Sequence, residues 1–189
     1  MGKMINAFIN RLKERKKNET FNKERLNKDI SLTIDGMGIV IYSNEAMSYV
    51  AEGEDFLNKE FWAPEKVAEH IRKGDIIGFN LGSSGNYNLH IRRGYPDEEM
   101  IQKYPKAARL VIDVKGRKVS FVDLFWLMEW SKSVPEEQTI EFKDGIYHVT
   151  VLTHKPDSGI IGDNQDIYIY FEKLDEMPKF TWEGVPGLY

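Results

Sequence analysis

From Ile30 onward the chain alternates apolar and polar residues over short runs, and Gly, Asn, Asp or Pro interrupts nearly every run. Alternation with period two marks a strand with one dry face. Nine such runs stand out, at residues 30–34, 38–42, 75–81, 86–92, 110–114, 118–122, 138–142, 146–154 and 166–173. The turn chemistry between them predicts three hairpins. The first closes over Gly82-Ser-Ser-Gly85, the second over Lys115-Gly116-Arg117 and the third over Asp144-Gly145. Each offers residues that tolerate positive φ. The last two strands also read as partners, joined by the polar loop 155–165. Asp35-Gly36 marks a further turn between the first two strands.

Helical spacing is rarer. Pro64 and Glu65 open a segment over 63–74, and Arg72, Lys73 and Gly74 close it, with Val67, Ala68 and Ile71 on one side. Shorter helices are predicted over 44–50 and 98–103. Another is predicted over 123–130, where Asp123 caps and Trp126 and Trp130 fall one turn apart. Near the start, Met4, Ile5, Phe8, Ile9 and Leu12 share one face of a basic amphipathic helix. No connection holds the long crossover helices of a parallel α/β sheet. The expectation is a mainly β fold: an antiparallel two-sheet sandwich of eight or nine strands with short peripheral helices. Residues 1–27 form a basic amphipathic helix and tether, and 28–189 a single β-rich domain.

The composition supports a packed domain, with 41% hydrophobic and 30% charged residues. Cysteine is absent, which excludes disulfides, thiolate metal sites and a Cys nucleophile and fits a reducing cytoplasm. The net charge of −4 is unevenly spread: residues 1–26 carry eight Lys/Arg against three Glu, so the rest of the chain is nine charges negative. An acidic body disfavours nucleic acid, whose phosphates need a basic face. It suits a basic protein partner. The amphipathic helix, through Ile5, Phe8, Ile9 and Leu12, could instead lie on an anionic membrane surface at the inner face of the membrane. It could equally pack on its own domain or on a second copy, so a homo-oligomer stays open.

Little in the chain points to catalysis. His148 and His154 share a strand face but stand roughly 20 Å apart, too far to hold one ion. Ser83 and Ser84 lie in a turn that lacks both the Gly-x-Ser-x-Gly spacing of a nucleophile elbow and the helix of a phosphate loop. Asp157, Asp163 and Asp166 lack the order of a calcium loop. No catalytic, cofactor-binding or metal-binding residue is therefore assigned. On the last strand, Ile167, Ile169 and Phe171 share one face, and Tyr168 and Tyr170 the other. Two tyrosines on a face that should be wet mark either a sheet covered by the N-terminal helix or the C-terminal tail, or a contact surface, where tyrosine is favoured. With the polar loop, this selects Asp157, Asp163, Asn164, Gln165, Tyr168, Tyr170 and Trp182 as candidate partner contacts.

The C-terminal layout also carries a resemblance. Gly145-x-Tyr147-x-Val149, then Gly162-Asp-Asn-Gln165, a strand, Met177-Pro178 and Trp182-x-Gly-Val-Pro186 resemble an uncharacterised bacterial domain family found among immunity-type proteins near toxin genes. The layout extends over residues 28–189, and includes Phe61-Trp62 and the Gly82–Tyr87 segment. It is also distantly similar to the small bacterial nuclease-inhibitor family linked to competence. The shared motifs are structural, so no active-site residues carry over. The resemblance implies a non-catalytic binding protein that neutralises a basic toxin or nuclease.

Overall fold

The computed structural model describes residues 27–189, so Ile5, Phe8, Ile9 and Leu12, with their predicted helix, lie outside the described residues. Among the described residues, nine strands form two sheets. They are β1 (Lys28–Ile34), β2 (Gly38–Ser43), β3 (Ile76–Asn80), β4 (Gly85–Arg93), β5 (Lys106–Val114), β6 (Lys118–Asp123), β7 (Thr139–Glu141), β8 (Gly145–Thr153) and β9 (Gln165–Lys173). The five-stranded sheet has the order β1-β4-β9-β8-β5, and the four-stranded sheet β3-β2-β6-β7. Every pairing is antiparallel except β4 with β9, which run parallel. The mainly β sandwich read from the alternation is thus the architecture found, with one parallel pair inside it.

The sheets bury their facing sides on each other. Ile30, Leu32, Leu89, Ile91, Val149, Val151, Ile167, Ile169 and Phe171 of the larger sheet meet Ile39, Ile41, Ile77, Phe79, Val119 and Phe121 of the smaller. The second face of the smaller sheet is also dry. There Val40, Tyr42, Ile76 and Val122 pack under a helical layer that supplies Phe56, Leu57, Phe61, Val67, Ile71, Leu127 and Trp130. That layer holds a π-helical turn (Leu57–Phe61), the helix α1 (Pro64–Lys73) and a 3₁₀ turn (Leu124–Met128). The described residues therefore stack in three layers, with the helical layer on the smaller sheet and none of it on the outer face of the larger. A short helix α2 (Glu98–Lys103) and the segments around it lie along that outer face.

None of the three predicted hairpins forms. β3 and β4, β5 and β6, and β7 and β8 each lie in different sheets, so each tight turn is an arch that carries the chain across the core. The glycines and turn residues do adopt positive φ, as at Gly82 (76°), Gly116 (66°) and Arg117 (62°). The strands they join take other partners: β4 pairs with β1 and β9, and β3 with β2. The free edge of β3 is met by the C-terminus instead. Asn80 donates from its N–H to Pro186 O at 2.8 Å and accepts from Leu188 N at 2.8 Å, and Leu188 is buried in the core. The predicted partnership of the last two strands does form, as β8 pairs with β9.

Two helical predictions also change. Residues 44–50 make successive turns, closed by Met47 N to Ser43 O and Val50 N to Met47 O, which bury Met47 and Val50 without a regular helix. Residues 123–130 hold only the 3₁₀ turn. Asp123 caps it through Phe125 N at 3.3 Å, but Trp130 lies beyond its end, so the two tryptophans are not one helical turn apart. The helices over 63–74 and 98–103 are found, and Gly74 closes α1 in the left-handed conformation at φ 69°.

Candidate functional site

The alternation of β4, β8 and β9 sends their even-numbered residues to the outer face. The register then lines up Asp29, His90, Tyr168 and Leu152 in one row across β1, β4, β9 and β8. His90 Nδ1 lies 3.0 Å from Asp29 Oδ1, and its Nε2 lies 3.0 Å from Asp166 Oδ1. The ring stacks on Tyr168, with centroids 4.5 Å apart. Arg92 adds a 2.9 Å bond to Asp29. Burial alone would push the Asp29 carboxyl up, but the hydrogen bonds from Arg92 and His90 outweigh it and hold the group below the usual carboxylate value. These polar groups satisfy one another. Both imidazole nitrogens are thus engaged by carboxylates.

Tyr104, buried at the end of the α2 segment, leans over Tyr168 at 4.7 Å between ring centroids and meets His154 edge-on at 4.8 Å. Its hydrogen bond with Tyr168, followed by burial, pushes the Tyr168 hydroxyl up to about 12, so this phenol stays neutral. Next to this pair the loop 154–165 bounds a polar cavity of about 530 Å³. Asp157, Asp163, Asn164, Gln165 and Asp166 line it with Lys103, Tyr104 and His154. His154 Nδ1 is buried there with no hydrogen-bond partner among the described residues.

Gln165 holds the loop from beneath. It is buried, its Nε2 donates to Thr153 Oγ1 at 2.9 Å and to His154 O at 3.0 Å, and its Oε1 accepts from Gly162 N at 3.1 Å. The backbone contributes too: Asn86 N donates to Gly162 O at 2.7 Å. Two glycines make this approach feasible. Gly85 and Gly162 have φ of 152° and 84°, and a Cβ on Gly162 would stand 2.6 Å from Ser84 O. The turn predicted as a hairpin thus serves as a seat for the loop. Above it Asp157, Asp163 and Asn164 are exposed, as is Ile160 at 64%.

The candidate contacts therefore separate. Asp157, Asp163, Asn164 and Gln165 share the polar cavity, with Tyr168 beside it and Gln165 turned inward. Tyr170 lies one row further along, opposite Arg92 and Thr150. Trp182 is at the other end of the molecule's outer face, in a second cavity with His148. Asp29, His90, Arg92, Lys103, Tyr104 and His154 are not among the contacts expected from the sequence, yet they lie in or beside this site. His90 faces outward on β4, but its two carboxylate partners come from β1 and β9, and no spacing along the chain brings those together.

A second titratable cluster lies in the helical layer. Buried His70 of α1 places Nδ1 3.1 Å from Asp75 Oδ1, with Nε2 3.9 Å from Glu60 Oε2, and the ring sits against Phe56 and Phe61. Its hydrogen bonds run to Asp75 alone, which ties the end of α1 to the start of β3. Among the described residues there is no group of His, Asp and Glu arranged to hold a metal ion, and no helix is long and apolar enough to cross a membrane.

Among solved structures, the fold is similar to the crystal structure of ComJ, inhibitor of the DNA degrading activity of NucA, from Bacillus subtilis. That match has 15% identity and a TM-score of 0.48, and covers 78% of this chain and 96% of that one. It is similar also to a chain described as crocagin biosynthetic gene J, at 9% identity and a TM-score of 0.48, covering 76% of this chain and 95% of that one. Both are distant likenesses of layout and carry nothing about what this chain binds. No family model matches the chain, and no curated protein matches it.

Proposed function

We propose that this chain is a non-catalytic, inhibitor-like binding domain. Its partner is a basic protein of the toxin or nuclease kind, engaged by the 155–164 loop and the adjoining outer face of the five-stranded sheet. The observation that carries this reading is the construction of the loop. It projects exposed Asp157, Asp163 and Asn164 around an exposed Ile160, yet it is held from below by the buried Gln165 amide and by close contact with the 82–85 turn. A loop ordered before binding loses little conformational entropy on association. An apolar tip flanked by carboxylates complements a cleft lined with cations, as enzymes that act on phosphodiesters possess. The nine surplus negative charges outside residues 1–26 would speed encounter with such a partner. The paired state of His90, Asp29, Asp166 and Arg92 supports a contact surface over a reacting centre. The nuclease class of partner comes from the sequence resemblance.

The test uses the full chain as bait at low salt, followed by reconstitution with the retained protein. A basic protein should be retained and inhibited in proportion to the chain added, with binding that weakens as salt rises. The double variant Asp157→Lys/Asp163→Lys should weaken binding by about tenfold or more while leaving the circular dichroism spectrum unchanged. No retained protein at low salt, or equal retention by the charge-reversed variant, would sink the proposal.

A further inference from the structure

A second cavity, of about 330 Å³, lies at the other end of the outer face, far along β8 and β5 from the acidic loop. Its volume falls at the lower end of the range for small-molecule sites, roughly 300 Å³ and upward. Tyr95, Phe180 and Trp182 line it, together with aliphatic side chains of β5. Tyr95 and Trp182 are 55% and 59% exposed, an uncommon state for two large rings that share one crevice. Its charged lining is Arg109 and Lys179, with His148 beside them and no carboxylate among the lining residues. That is the opposite of the domain around it, which is acidic overall.

The two cations are also unspent. Neither Arg109 nor Lys179 enters an ion pair among the described residues. Of the two carboxylates beside the cavity, one is held and neither lines it. Glu183, next to Trp182, is held by Arg72. Glu172, in register with His148 on β9, is not among the lining residues. His148 sits 5.4 Å from Tyr95 between ring centroids. Burial, and then the Arg109 charge, push its pKa down, so near neutral pH the imidazole adds no further charge and offers a neutral donor and acceptor.

We infer that this cavity binds a small organic carboxylate with a flat apolar body. The carboxylate engages Arg109 and Lys179, and the body lies against Tyr95, Phe180 and Trp182. An Arg fork matches the two oxygens of a carboxylate, and aromatic faces supply apolar contact without a further charge requirement. The cavity is separated from the acidic loop along the length of β8, so its occupant does not depend on what the loop binds.

The test titrates the full chain with phenylacetate, phenylacetamide, acetate and inorganic phosphate, observed by NMR and calorimetry. Phenylacetate should perturb the Trp182 indole and His148 ring resonances. Phenylacetamide, acetate and phosphate should each bind at least about tenfold more weakly, since each lacks the charge or the ring. Arg109→Gln should weaken phenylacetate binding by about tenfold or more with an unchanged melting temperature. Lys179→Gln is the second variant, should Arg109→Gln fold poorly, and Asp157→Asn should leave binding as it was. Equal binding of the amide and the acid would overturn the inference. So would phosphate binding as tightly as phenylacetate, unchanged binding in the folded cation variants, or no perturbation at millimolar phenylacetate.

Discussion

Replacing Gln165 with Leu tests whether a single buried amide organises the candidate site. The two side chains are similar in size, so the substitution removes hydrogen bonds with little change in volume. Three bonds are lost: to Thr153 Oγ1 at 2.9 Å, to His154 O at 3.0 Å and from Gly162 N at 3.1 Å. At about 1 kcal/mol each they amount to about 3 kcal/mol. The partners left behind fare unequally. Thr153 Oγ1 keeps its 2.7 Å bond to Asp166 O, and His154 O keeps a 3.4 Å contact with Thr153 Oγ1. The Gly162 N–H has no other partner among the described residues and is buried, which adds about 1 kcal/mol. Burial of the new Leu methyl groups returns about the same amount. The expected destabilisation is about 3 kcal/mol, a large share of the roughly 5–15 kcal/mol that holds an ordinary domain. Urea unfolding followed by circular dichroism would read it as a lower midpoint with an unchanged slope. Hydrogen exchange should speed up at Asn86 and Gly162, whose amides bridge the loop to its surroundings. A midpoint within the equivalent of about 1 kcal/mol of the parent, with exchange unchanged, would refute the account of the loop's support.

Three further outcomes follow from the packing. Phe171→Ala empties a position with no exposure that meets Phe142 at 4.6 Å, Phe121 at 6.2 Å and Tyr147 at 6.4 Å, and should cost about 3–5 kcal/mol in urea unfolding; less than about 2 would mean that the sheets do not pack through it. Gly162→Ala and Gly53→Ala place a Cβ at similar φ, 84° and 74°, but Gly53 has open space around it whereas Gly162 faces Ser84 O at 2.6 Å. Gly162→Ala should therefore be the more damaging by at least about 1 kcal/mol in thermal or urea melts, and equal effects would remove the close seat of the loop. His148 has a folded pKa below its ordinary 6.5 because of burial and then Arg109. The unfolded chain thus binds the proton more readily, so this group's stabilising effect is complete above about pH 6.5 and is lost as the pH falls toward the folded value. Unfolding at pH 7.5 and 5 should show a smaller acid loss in His148→Gln than in the parent, and identical losses would contradict it.

The candidate surface was partly legible in the chain. Alternation placed Tyr168 and Tyr170 opposite Ile167, Ile169 and Phe171, and the exposed Asp157, Asp163 and Asn164 follow from a polar loop between two strands. The His90 cluster was not legible. Its partners, Asp29 and Asp166, are 61 and 76 residues away and meet it only through the β1-β4-β9 order. Trp182 is close to the loop in sequence, yet the chain between them crosses to the other end of the sheet face.

What the amino-acid sequence determined by itself was local. It set which segments extend, where they bend and which face of each strand is apolar, because side-chain alternation and turn chemistry act within a few residues. Only the tertiary structure decided which strands pair. In a two-sheet sandwich both sheets bury a face on the same core, so a strand after a tight turn can satisfy its alternation beside its predecessor or across from it. A signal of the second outcome was present in the residues. β2 and most of β3 are apolar on both faces, while β4 alternates cleanly. A strand dry on both sides and one wet on one side belong to different layers, and the helical layer over β2 and β3 is what makes the difference.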